Sequence, residues 1–265
     1  NFAKYANEEK KNQARLNIVI AGGGFTGVGY AGELVDRIPD LSKEYGVDRT
    51  QVRVILIECE STILPGFHNE FINYAMNSLE SRGVEFVTDA EIIETKEDRV
   101  VYEKLGKRIE LPTKTVVWAG GVRGNSLLEE SGIPTNNGKV EVENDLRVPD
   151  NEAIYVVGDC ANIRNPETGR LYPANAEIAI ASAETAAENI KAQINGEALI
   201  PFQLNNKTVI ASLGTSDGVA VSLNGRNSFG WKANLMKKIC LNRYLLRLGG
   251  IHLLLKKGRF NFFQA

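Results

Sequence analysis

The chain is poor in the residues that most hydrolytic and acid–base enzymes rely on. Its 265 residues include two histidines, His68 and His252, in unrelated segments, and each is expected to be structural or solvated. The three cysteines, Cys59, Cys160 and Cys240, are odd in number and form no C-x-x-C pair. A reducing compartment with buried structural thiols is the simpler expectation. No metal-ligand cluster and no G-x-S-x-G occurs, so neither a metal centre nor a nucleophile-elbow serine is expected. No Gly-Lys-Ser/Thr follows the glycine-rich turn, which excludes a P-loop. There is no signal peptide and no apolar run of about 18 residues, so nothing is expected to span a bilayer. Acidic residues are absent from Gly218 to Ala265, where nine basic ones stand. The other 217 residues hold 22 basic and 33 acidic residues, so a chain of net charge −2 joins an acidic body to a basic tail. Such a tail points to an anionic surface. The chain opens on Asn1 rather than Met, and a processed chain, or one cut from something longer, is expected. Hydrophobic residues at 43% and charged residues at 24% describe a soluble globular protein, long enough for one large domain or two small ones.

What is present is a glycine-rich turn in an informative setting. The apolar run Ile18 to Ala21 enters Gly22-Gly-Gly24, and a helical pattern follows with Val28, Ala31, Val35 and Ile38 on one face. Gly22, Gly24 and Gly27 fit G-x-G-x-x-G between a strand and a helix. The first glycine permits the tight turn, the second lets backbone approach a pyrophosphate, and the third lets helix pack on strand. Free N–H groups and the positive dipole end of the new helix would meet the phosphates. With Phe25 and Thr26 between the glycines, this is the expected NAD(H) site. An ordinary glycine turn of another α/β fold is the competing reading.

Further candidates follow the strand ends. Val52 to Ile57 reads as the second strand, with Glu58 at its end. An acid there hydrogen-bonds the adenine ribose hydroxyls and disfavours a 2′-phosphate; Glu60 competes for the role. His68 to Arg82 reads as a helix closed by Gly83, and Val84 to Val87 as the third strand. Residues 89–111 alternate apolar and polar around two breaks, an antiparallel meander. Thr115 to Trp118 is expected to be buried, entering Ala119-Gly120-Gly121, where small residues would let a nicotinamide lie against backbone. Ala153 to Val157 reads as another buried strand, ending in Gly158-Asp159, whose carboxylate suits a flavin's ribityl hydroxyls. Asn175 to Gly196 is a long helix, and Val209 to Leu213 with Gly218 to Leu223 reads as a hairpin. The tail from Phe229 to Phe263, with Phe260, Phe262 and Phe263 at its end, places apolar residues at helical spacing among Lys and Arg. That is the profile of a helix lying in a membrane interface. No nucleic-acid motif appears, and none is expected to bind.

Together these residues resemble the type II NADH dehydrogenases, the non-proton-pumping NADH:quinone oxidoreductases. The resemblance rests on Gly22-Gly-Gly-Phe-Thr-Gly-Val28 with Ala31-Gly-Glu-Leu34, Trp118-Ala-Gly-Gly-Val-Arg123, Val157-Gly-Asp-Cys-Ala161, Gly214-Thr-Ser-Asp-Gly218 and Gly249-Gly-Ile251 with Lys256-Lys-Gly-Arg-Phe260. It implies a flavoprotein of the pyridine nucleotide-disulfide oxidoreductase type, passing hydride from NADH to FAD and electrons on to quinone. It implies that Asp159 and Gly158 meet FAD, that Lys256 lies near the flavin–quinone site, and that the tail holds the enzyme peripherally on the cytoplasmic face of a membrane.

The chain departs from that family pattern in three places. The family's upstream FAD fingerprint has no counterpart in it, so FAD binding is expected to be weak or absent. Gly29 stands where the family has a glutamate, and Ala176-Glu177 where it has an Ala-Gln pair beside the quinone path. The expected architecture is α/β. A lead-in helix (1–16, helical from Tyr5 to Arg15) precedes a Rossmann-like NAD(H) domain of parallel sheet plus meander (17–149). A returning part of an FAD domain (150–225) and a basic amphipathic tail (226–265) follow. Strand edges near Ile154 would lack neighbours, and a homodimer is one way to cover them. The alternative to an NADH:quinone oxidoreductase is a non-catalytic NAD-binding module that docks on membranes.

Overall fold

The computed structural model of the protein describes residues 1–65, 67–166, 168–204, 209–221 and 226–260. In chain order the elements are α1 (Phe2–Asn7), β1 (Asn17–Ala21), α2 (Phe25–Tyr45), β2 (Arg53–Ile57), α3 (Asn69–Ser81), β3 (Val84–Val87), β4 (Ala90–Thr95), β5 (Arg99–Lys104), β6 (Lys107–Pro112), β7 (Thr115–Trp118), α4 (Ser126–Glu130), β8 (Val140–Glu141), β9 (Arg147–Val148), β10 (Asn151–Tyr155), β11 (Ala161–Asn162), α5 (Ala176–Asn195), β12 (Val209–Ser212), β13 (Gly218–Val221), β14 (Asn227–Phe229) and α6 (Trp231–Lys257). Packing divides the chain into two units, residues 1–120 with 207–265, and residues 121–206. That division differs from the expected junction at residues 149–150.

The first unit is built on a parallel sheet of order β3-β2-β1-β7. Every residue of β1 is buried, because both faces of the sheet are covered. On one face Ile18, Ile20, Val54 and Leu56 meet the apolar stripes of the two helices. Those stripes are Val28, Ala31, Val35 and Ile38 of α2, and Phe71, Ala75 and Leu79 of α3. Each such Val, Leu or Ile contributes about 1.5–3 kcal/mol on burial. On the opposite face Val19, Ile55 and Ile57 pack with Ala90 and Val100 of the antiparallel meander β4-β5-β6. The antiparallel sheet β12-β13-β14 joins the helix side of the core through Ala211, Leu213 and Val219.

In the second unit the strands pair two by two, β10 with β9 and β11 with β8. Its organising element is α5. Asn175 caps it by accepting from the Ile178 N–H at 2.9 Å, and Gly196 ends it in the left-handed region. Buried Asn189 on this helix donates to the Asp145 and Ile200 carbonyls (3.0 and 2.9 Å) and accepts from the Ile200 N–H (2.8 Å).

Several expectations are corrected. The lead-in helix stops at Asn7, because Lys11 Nζ caps the Tyr5 and Ala6 carbonyls, and a separate 3₁₀ turn covers Gln13–Arg15. Thr115 to Trp118 is not buried. As β7 it forms one edge of the sheet, and Trp118 is 62% exposed. The strand expected over Ala153 to Val157 spans Asn151–Tyr155 and is largely exposed, having only the short β9 beside it. The cysteines are not buried thiols: Cys59 and Cys240 are exposed, Cys160 is half-buried, and none of them forms a disulfide. Residues 227–229, assigned to the tail, form β14 at the edge of the third sheet. Leu223, Phe262 and Phe263 lie outside the described residues.

Candidate functional site

The glycine turn is assembled from three neighbouring strand ends of the first unit. Gly22 has φ +103°, and a Cβ on it would lie 2.7 Å from the Ala119 carbonyl oxygen, so the turn abuts the loop after β7. A Cβ on Gly27 would lie 1.8 Å from the Gly22 carbonyl oxygen, which restricts that helix position to glycine. Gly24 differs from both, since a Cβ there would meet nothing within 4 Å. Its backbone faces open space, as a pyrophosphate requires. Gly24 is also the N-cap of α2, and no side chain caps that helix. The first-turn N–H groups, which have no intrahelical acceptor, and the positive end of the dipole are thus left for an anion.

Phe25 turns into the core and packs edge-on against Phe67 at 5.1 Å, so only its backbone is available to a ligand. Thr26 is exposed on the first turn. Ala119 and Gly120 lie beside the turn, the Ala119 N–H donating to the Ala21 carbonyl at 2.7 Å. Gly121 has φ +102° in the loop that follows.

Glu58 is buried against this turn. Its Oε2 accepts from the Gly23 N–H at 2.5 Å, and its Oε1 accepts from the Glu60 N–H at 2.9 Å and the Cys59 thiol at 3.1 Å. Burial alone would push its carboxyl up. The hydrogen bonds from Glu60, the Cys59 thiol, Gly23 and the Cys59 N–H outweigh that and hold it below the usual carboxylate range. Glu60 is exposed. The segment after β2 also closes on the turn, with the Leu64 N–H donating to the Gly23 carbonyl at 2.8 Å and Leu64 held at φ +50°. Ile63 and Leu64 are not among the residues that sequence reasoning finds, and two apolar residues in a polar loop are their only signal.

A polar network joins α2, α3 and the turn between β12 and β13. Arg82 donates to Asp36 (3.1 Å), the Leu213 carbonyl (2.6 Å) and Ser78, and pairs with Asp217 at 3.7 Å. Asp36 accepts from the Thr215 N–H and hydroxyl, both at 2.9 Å. Asp217 accepts from the Tyr74 hydroxyl at 3.0 Å and from the Ser78 hydroxyl. Burial, then the Asp217 charge and hydrogen bond, push the Tyr74 phenol up to about 12. Buried Asn234 of α6 donates to the Thr215 carbonyl at 2.6 Å, tying the root of the tail to the same turn. Gly214 to Gly218 stands out in the sequence as a motif without a role, and this network supplies one.

Gly29 lies on α2, and a Cβ on it would be 3.5 Å from the Ser212 carbonyl oxygen, an ordinary contact distance. A Cβ is therefore accommodated there. Lys256 is exposed on the second arm of α6, beyond a break in helical geometry at Gly249 and Gly250. Asn242 folds that arm back: its Nδ2 donates to the Arg259 carbonyl (2.9 Å) and its Oδ1 accepts from the Arg259 N–H (2.8 Å).

The remaining predicted residues belong to the second unit. Gly158 has φ +63° and donates its N–H to the Ser182 hydroxyl of α5 at 3.1 Å. Asp159 follows it, exposed on the turn. Ala176 and Glu177 open α5; Ala176 is exposed, and burial raises the Glu177 carboxyl. A cavity of about 320 Å³ adjoins these elements, lined by Gly158, Asn162, Ile163, Tyr172 and Ile178 among others. Among the described residues no group of His, Cys, Asp and Glu is arranged to hold a metal.

Comparison with known proteins shows the family and the fold. The family model for pyridine nucleotide-disulphide oxidoreductases matches residues 3–183. A type II NADH:quinone oxidoreductase of Staphylococcus epidermidis is 39% identical over 259 residues, covering 98% of this chain and 64% of the relative. That of Staphylococcus aureus is also 39% identical over the same shares. The chain thus spans 64% of the length of these relatives. Among solved structures, NDH2 from Plasmodium falciparum in complex with NADH superposes with a TM-score of 0.78 at 17% identity, covering 92% of this chain and 65% of that one. The sulfide:quinone oxidoreductase of Aquifex aeolicus gives 0.70 at 19% identity, covering 87% and 58%. Both show the fold.

Proposed function

The chain belongs to the pyridine nucleotide-disulphide oxidoreductase family, and from that premise we propose that it carries the NADH-binding part of a type II NADH:quinone oxidoreductase. The observation that carries this reading is the uncapped start of α2 above open Gly24, with Glu58 and Ala119-Gly120 on either side. Gly22, Gly24, Gly27 and the first-turn N–H groups of α2 hold the pyrophosphate. Glu58 Oε2 accepts a hydroxyl of the adenine ribose, and Ala119, Gly120 and Gly121 face the nicotinamide half.

The second unit suits a flavin at Gly158-Asp159. Its turn has the positive φ that a close backbone approach needs, and its carboxylate is exposed to accept ribityl hydroxyls. When bound, a flavin supplies a two-electron acceptor for the hydride of NADH and a donor to quinone. Glu177, at the start of α5, belongs to the quinone side of this reading.

The tail completes the proposal as a peripheral membrane attachment on the cytoplasmic face. Among the described residues no helix is long and apolar enough to cross a membrane. Trp231, Ile239, Leu248, Ile251, Leu255 and Phe260 are exposed along α6 and just beyond it, in a region with eight cations and no acid. Apolar residues inserted at the headgroup boundary and Lys/Arg near anionic lipid, each worth about 1 kcal/mol, would act together.

Two measurements on the purified chain test the proposal. Flavin absorbance with NADH-driven quinone reduction supports the full reading. A colourless chain that shifts NADH fluorescence restricts it to nucleotide binding, and no heat with saturating NADH in titration calorimetry overturns it.

A further inference from the structure

Trp118 is the large side chain that the first unit leaves most unaccountably in the open. It ends β7, it is 62% exposed, and among the described residues its ring meets no other aromatic ring. An exposed tryptophan is more informative than an exposed leucine, because its burial would contribute more than that of any other side chain.

Its surroundings say what it faces. The parallel registers put Ile57, Ala21 and Trp118 in one row across β2, β1 and β7, at the carboxyl ends of all three strands. Ligands of such sheets lie outside the carboxyl ends, where the strand order reverses. Here the chain runs outward from β1 through β2 to β3 on one side and places β7 on the other, so the reversal lies between β1 and β7. Glu58 marks the β2 side of the row and the glycine turn marks its centre. Trp118 marks the opposite side, two strand spacings or about 10 Å from β2. The indole lies over Gly120, whose Cβ, if present, would be 3.6 Å from Trp118 Cε2 and Nε1. That is an ordinary van der Waals distance, so the indole rests on the backbone of the loop after β7.

We propose that Trp118 is a positioning residue for NADH, the platform on which the nicotinamide end rests while Glu58 holds the adenine end. This rests on the NADH reading of the glycine turn and adds a residue to it. The physical basis is stacking of one flat ring on another, which is tolerant of ring type and lost with the ring.

Calorimetric titration of the 265-residue chain with NADH and with ADP-ribose, which lacks the nicotinamide ring, provides the test. Trp118→Ala is expected to weaken NADH about tenfold and leave ADP-ribose unchanged, while Trp118→Phe keeps NADH within about threefold of wild type. Trp231→Phe, at the chain's other tryptophan, serves as the control and leaves both ligands unchanged. Equal losses for NADH and ADP-ribose in Trp118→Ala would make the residue structural and overturn the proposal, as would an unchanged NADH affinity. A wild-type chain that binds ADP-ribose but gains nothing from the nicotinamide also overturns it. A wild-type chain that binds neither ligand removes the NADH reading itself.

Discussion

The two units use the same kinds of residue to different ends. In the first, β1 has a parallel neighbour on each side, both sheet faces are covered, and the five residues of β1 are all buried. In the second, β9 and β10 have only each other, and three of the five residues of β10 are exposed. Both units carry a glycine with positive φ at a strand exit, Gly22 and Gly158, followed by a helix or turn. Only the first surrounds that glycine with its own chain on several sides: Ala119, Ile63 and Glu58 all reach the Gly22–Gly23 turn. A strand becomes a precise platform for a ligand when its neighbours leave it no freedom. The Gly22–Gly23 turn is therefore the more tightly held of the two, and the Gly158-Asp159 turn rests on fewer supports.

Hydrogen exchange would break or confirm this contrast most directly. Amides of β1 and β2 are expected to exchange only by global opening, and those of β9 and β10 at least about 1000-fold faster. Equal protection would remove the distinction. Next in size is Gly27→Ala. With its Cβ 1.8 Å from the Gly22 carbonyl, it should cost about 3 kcal/mol in urea unfolding and abolish NADH binding. Gly24→Ala separates binding from folding. Its Cβ enters open space, so unfolding should be unchanged while NADH affinity in calorimetry falls about thirtyfold.

Acid sharpens the comparison further. Because the Glu58 carboxyl is held below the usual carboxylate range, its support of the turn is present above that range and lost as pH falls through the lowered value. Thermal midpoints should be level down to about pH 5 and fall below about pH 4, and Glu58→Gln should flatten part of that fall. The smallest effect is expected for Gly29→Glu. The position has room for a Cβ and lies within a helix, so the exchange should stabilise the chain by about 0.5 kcal/mol in thermal unfolding. A loss of stability there would show that α2 and β12 approach more closely than an ordinary contact.

The parallel-sheet half was legible because its signals are local. The apolar run of β1, the glycine spacing and the 3.6-residue stripe of α2 each lie within a few adjacent turns, and the meander announces itself by alternation. Asn175 and Gly196 mark the ends of α5 for the same reason. Legibility ends where a residue's state depends on what lies beside it in space. Thr115-Val-Val-Trp118 and Ala153-Ile-Tyr-Val-Val157 look alike as apolar runs, yet one is a sheet edge and the other a half-exposed pair. The cysteines, odd in number and without a C-x-x-C pair, read as buried thiols, but Cys59 and Cys160 occupy turns and Cys240 an exposed position on α6.

Glu58 shows the same division within a single residue. Its place at the end of β2 was visible from the strand pattern, whereas its hydrogen bond to the Gly23 N–H depends on two strands meeting 35 residues apart. The Arg82 network is more distant still, linking Asp36 to Thr215 across 179 residues.

Sequence alone determined the order of elements, the glycine turn between β1 and α2 and the charge split between body and tail, because periodicity, glycine spacing and local charge are properties of neighbours along the chain. Tertiary structure alone decided which strands are interior, how Glu58 and Leu64 brace the turn, and that Trp118 stands open beside it. Those outcomes depend on burial and on hydrogen-bond partners that only folding brings within reach.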